Sequence, residues 1–159
     1  MDTLAPVSTL DREAMAARYR ANRARTAGLF ALIAPEAYEI APLPLRHPFV
    51  FYDGHLPAFA YITLVRDALG RPPLDAELER LFNRGIDPRD ATAAAAHKRA
   101  IWPDRAAVRA FGDASDAAVL EAYANARLDD PDNPRLVRAQ AAHTILEHEE
   151  MHDETLTYI

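Results

Sequence analysis

The chain has 159 residues, half of them hydrophobic and 26% charged, which suits one globular domain with a filled core and excludes a disordered tail. A net charge of -6, with Lys98 as the sole lysine, argues against nucleic acid or an anionic membrane surface as partner, because both demand clustered cations. Cysteine is absent, so disulfides, thiolate metal sites and cysteine nucleophiles are excluded, and histidine and carboxylate are the strong ligands left. There is no basic-then-apolar leader and no apolar run of membrane-spanning length, and the expectation is a soluble, cytoplasmic protein.

From about Thr9 to Ala34 the residues Met15, Tyr19, Asn22, Thr26, Leu29, Phe30 and Ile33 recur every three or four positions, predicting an amphipathic first helix. Ser8 or Thr9 is its expected cap, Pro35 its stop, and its arginines are expected on a solvated face. A proline-rich connection leads to Pro48, which suits the first turn of a second helix reaching Leu69, with Gly70 as its terminator and Pro57 as a kink site. A short helix over Asp75 to Leu81 follows, then a turn-rich stretch from Phe82 to Pro88, and Ala91 to Ala96 suits either a helix or a compact loop. A third long helix is predicted from about Asp104 to Ala126. Asn133 and Pro134 read as cap and first residue of a last helix running to the chain end. No strand period and no repeat occurs, so the expected fold is an all-α four-helix bundle, one domain over residues 1–159, with a loop-rich excursion between helices 2 and 3.

The final helix carries His148-Glu149-Glu150-Met151-His152. Two histidines four apart lie one turn apart on one face, so their imidazoles can converge on a single ion. With His148 as reference direction, Val137, Ala141, Ile145, Met151 and His152 fall on its side, while Glu150, Asp153 and Glu154 fall away. The carboxylates Glu149, Glu150, Asp153 and Glu154 are expected on a solvated face, with Glu149 available to hydrogen-bond a ligand imidazole. A histidine pair is equally compatible with ordinary core histidines, so a third ligand decides. His143 lies about 140° around the helix from His148, His97 sits in an uncertain alanine-rich stretch, and His47 just precedes Pro48. His55 is the best placed, with Gly54 beside it leaving room for close approach. The same letters match the H-E-x-x-H of zinc peptidases, whose glutamate is a general base, but those enzymes take a further ligand well downstream and this chain stops seven residues after His152. No Gly-x-Ser-x-Gly elbow or glycine-rich phosphate loop exists, which disfavours hydrolase triads and nucleotide binding.

The sequence resembles the DinB-like metal-binding bundles, and more closely the N-terminal domain of the ergothioneine-type non-haem iron sulfoxide synthases. The resemblance rests on Arg25-Thr26-x-x-Leu29, Pro48 followed by His55, Leu81 to Pro88, Trp102-Pro103 and above all Leu146 to Ile159, and spans about Arg23 to Ile159. It implies a three-histidine Fe(II) site made by His55, His148 and His152, with zinc or nickel as other candidates, and implies no catalytic residue within this chain. It further implies oxygen-dependent C–S bond formation between a histidine-derived betaine and a small-molecule thiol. In that family a formylglycine-generating-enzyme-like domain follows the bundle and completes the active site. The sequence here ends at the motif, so the expectation is a metal-binding half that is inactive alone, either a truncated piece of a larger enzyme or one completed by a partner chain, with a homodimer as a further expectation. A stand-alone DinB-like thiol transferase or hydrolase and a purely structural bundle are the alternatives.

Overall fold

Arg12–Ala31 form α1, capped by Asp11, whose carboxylate accepts from the Ala14 amide at 2.9 Å. The computed structural model describes residues 10–43, 46–83, 92 and 101–159. The expected caps Ser8 and Thr9, the stretch 84–88, most of Ala91 to Ala96 and His97 therefore lie outside the described residues. After a 3-10 turn at Pro35–Ala37, α2 spans Phe49–Ala60 and continues through Tyr61–Ala68 with π-helical hydrogen bonding. Pro57 lies inside α2, where its missing N–H removes a bond from the ladder shortly before the register widens. Gly70 ends the helix as expected, at φ of 70°, with Arg71 N–H donating to the Val65 carbonyl at 3.2 Å.

α3 is Ala76–Phe82, capped by Asp75, and α4 is Arg105–Asn125, capped by Asp104. α5 is Gln140–Leu156, not the helix from Pro134 that the sequence predicts. Asn133 does accept from a nearby amide, that of Arg135, but its own amide group donates to the Ala68 carbonyl at the end of the α2 run. Leu136 and Ala139 are buried, and Arg138 and Ala139 take φ of 55° and 54°, a left-handed step that reorients the chain before α5. Anchoring to the core outweighs the local helix-start signal.

α1, α2, α4 and α5 pack as a bundle, α2 on α4 and α1 on α5, with α3 laid against α2. All regular structure among the described residues is helical. One core cluster centres on Tyr19, Leu64, Val119, Tyr123 and Ile145, and a second on Phe30, Phe51, Tyr52, Phe82 and Phe111. Gly112 of α4 faces the Pro57 ring, where an added Cβ would meet it in ordinary van der Waals contact at 3.6 Å.

Candidate metal centre

His55 projects from the second turn of α2 and is 4% exposed. Its Nδ1 lies 2.6 Å from the Phe82 carbonyl. A carbonyl can only accept, so Nδ1 carries the hydrogen and the Nε2 lone pair is left bare. That Nε2 is 3.3 Å from Nε2 of His148. The third ring, His152, has its centroid 4.5 Å from that of His148 and 5.2 Å from that of His55. One nitrogen from each of His55, His148 and His152 can be chosen such that all three lie within 4.8 Å of one another.

This donor set fits a metal ion on two grounds. Two imidazole nitrogens each about 2.1 Å from one ion are separated by about 3.2 Å when they subtend roughly 100°, close to the His55–His148 spacing. His152 is 1% exposed, and neither of its ring nitrogens has a hydrogen-bond partner among the described residues. An ordinary core histidine would satisfy at least one of them.

Aromatic side chains wall the cluster. Phe51 stacks on His55 with centroids 4.9 Å apart, Phe59 lies flat on His148 at 3.5 Å, and Tyr52 stands 5.8 Å from His152. The apolar surroundings keep the imidazoles neutral, the form that ligates metals. Burial lowers His55, the Phe82 carbonyl opposing. His148 is lowered to about 2, first by burial and then by the other two imidazoles. His152 is lowered to about 4, by burial, His55 and Arg46.

Among the described residues, the other two histidines, His47 and His143, are not part of the cluster. His47 is buried and stacked on Phe51 at 3.8 Å, and His143 is exposed. On α5 the buried arc passes through Ala142, Ile145, Glu149 and His152, so its centre lies roughly 90° from His148. His148 thus occupies the rim, half-buried, while Met151 and Val137, expected inside, are exposed.

Glu149 and Asp153 are buried, contrary to the solvated face expected of them. The cause is α1, which lays polar groups against them. Thr26 Oγ1 lies 2.6 Å from Glu149 and 2.8 Å from Asp153, Arg23 donates to Glu149 at 3.0 Å, and Arg25 is 3.5 Å from Asp153. Arg23 also donates to Asp116 at 3.0 Å, and that carboxylate accepts from the Tyr19 hydroxyl at 2.7 Å. Burial alone would lower the Arg23 guanidinium, and Glu149 and Asp116 together overcome that and raise it. Burial raises the carboxyls of Glu149 and Asp153, with Arg23 and Thr26 opposing. Glu149 therefore bonds α1 and no ligand imidazole, and it is not placed to act as the base of a peptidase. Arg23 and Asp116 gave no site signal in the sequence beyond opposite charge on two helices. The usable hint is that Arg23 and Thr26 share one face of α1, as Glu149 and Asp153 share one face of α5.

The model of the DinB superfamily matches residues 18–156, a span holding all three clustered histidines. The chain belongs to that superfamily. Ergothioneine biosynthesis protein 1 of Neurospora crassa is 30% identical over 122 residues, covering 74% of this DinB chain. The match spans only 14% of that relative's length. No helix among the described residues of this DinB bundle is long and apolar enough to cross a membrane.

Proposed function

We propose that His55, His148 and His152 bind one Fe(II) ion, and that this DinB chain is the iron-holding half of a sulfoxide synthase joining a histidine-derived betaine to a small thiol. The observation that carries the reading is the buried His152 ring, which faces two further imidazoles with both of its nitrogens unpaired. When bound, Fe(II) supplies a cationic redox centre that three neutral imidazoles leave uncompensated in charge, suited to a thiolate and dioxygen. The chain's own residues do the rest of what can be assigned. His55 and His152 hold the closed side, Phe51 and Phe59 exclude water from the ring faces, and half-buried His148 marks the side open to substrate. The short coverage of the longer Neurospora crassa relative supports a reading in which a second domain or subunit contributes the catalytic acid and most substrate contacts.

An all-nitrogen ligand set equally suits zinc or nickel, which favours a second reading as a metal-dependent thiol transferase or hydrolase working without dioxygen. Elemental analysis of protein purified without added metal tests the site, set beside a chain in which His55, His148 and His152 are all replaced by Ala. One metal per wild-type chain and none in the triple variant is expected. Equal metal content in the two proteins would reject the site. Iron with dioxygen-dependent thiol consumption on adding the second domain separates the first reading from the second.

A further inference from the structure

Phe82, the last residue of α3, meets α2 at two points. Its carbonyl faces Nδ1 of His55, and the far end of its ring sits over Gly54, where an added Cβ would run into Cζ, Cε1 and Cε2. The ring cannot readily move aside. It is fully buried, stacked near Trp102 with centroids 6.3 Å apart and 6.1 Å from Phe111. The main chain is equally constrained, because the final carbonyls of a helix have no donor within it. His55 Nδ1–H supplies one to Phe82, while the next amide, Asn83 N–H, closes the turn on the Glu79 carbonyl.

We infer that Gly54 and the Phe82 main chain form a positioning device for His55. The missing side chain at position 54 seats Phe82 so that its carbonyl holds His55 as the Nδ1–H tautomer and turns Nε2 towards His148, 3.3 Å away. α3 thereby belongs to the centre without contributing a ligand. Carbonyl and carboxylate partners on the remote nitrogen of a ligating imidazole fix its orientation and raise its basicity. A glycine needed only for packing would affect stability alone. The role in metal binding rests on the proposed function, whereas the tautomer does not.

The test uses the full chain labelled with 15N, long-range correlations to assign the His55 nitrogens without metal, and zinc affinity by chelator competition. Metal-free wild type is expected to show a protonated Nδ1 and a bare Nε2 at His55. Gly54→Ala is expected to lose that signature and to bind zinc about 10- to 100-fold more weakly. Gly54→Ala with Phe82→Leu is expected to regain both, because leucine lacks the ring end that collides. An Nε2–H tautomer in the metal-free wild type, or a Gly54→Ala protein with unchanged tautomer and zinc affinity, would overturn the inference. The wild-type spectrum needs no variant, so it decides even if Gly54→Ala fails to fold. A wild type with the Nδ1–H signature that binds no zinc would reject the proposed function while upholding the tautomer assignment.

Discussion

Replacing His152 with Leu sets two consequences of one buried ring against each other. The imidazole is 1% exposed, with both nitrogens unpaired among the described residues. Burying an unsatisfied polar group costs about 1 to 3 kcal/mol. Leucine is close in volume and apolar, so imperfect repacking against Tyr52 should offset about 1 kcal/mol of that gain. In chelator, His152→Leu is therefore expected to be as stable as wild type or up to about 2 kcal/mol more stable. Metal reverses the order. At free zinc about 100-fold above Kd, binding adds about 2.7 kcal/mol to the wild type, and a variant lacking one of three ligands gains little. Urea denaturation followed by circular dichroism at about pH 8, where free imidazole is neutral, measures both arms. A variant clearly less stable than wild type in chelator, or one that gains as much from zinc, would refute the account of His152 as a ligand held ready at a cost in stability.

The same pair of proteins isolates a pH effect. His152 is held at about 4 in the folded chain against an ordinary value of 6.5. Between these values the unfolded chain takes up a proton that the folded one refuses, so wild-type stability from this group is intact above 6.5 and is lost as the pH falls towards 4. In chelator the margin of His152→Leu over wild type should widen across that window by up to about 1.4 kcal/mol per pH unit. A margin independent of pH would contradict the neutral buried imidazole. Arg23→Met should destabilise the bundle by about 3 to 5 kcal/mol near neutral pH, because Glu149 and Asp116 lose their shared cation. Burial already raises the Glu149 carboxyl, so the loss should shrink on acidification as that group protonates. A pH series of urea midpoints checks the size and the trend.

Features set by near neighbours in the chain were legible in the sequence. Asp104 starts α4 and Ala126 ends it as the periodicity indicates, Gly70 stops the second helix, and the spacing of His148 and His152 puts the two rings on one side of a helix. His55 was identifiable as the third candidate because Gly54 signals close approach, although the neighbour that approaches, Phe82, could not be named. Caps, turns and helical period depend on residues within a few positions, and so they survive being read one segment at a time.

Which side of a helix is inside is a different kind of fact. The wheel of α5 put Met151 in the core and Asp153 in water, and the bundle does the opposite because Arg23, Arg25 and Thr26 of α1 offer buried carboxylates the partners that water would otherwise provide. The start of α5 moved from Pro134 to Gln140 for a related reason, the capture of Asn133 by a carbonyl at the end of the α2 run. A helical chain with three histidines able to meet can be read from the residues alone. Which rings lose water, which tautomer His55 adopts and which carboxylates stay buried depend on how the helices pack, since desolvation and hydrogen bonding involve groups distant in the chain.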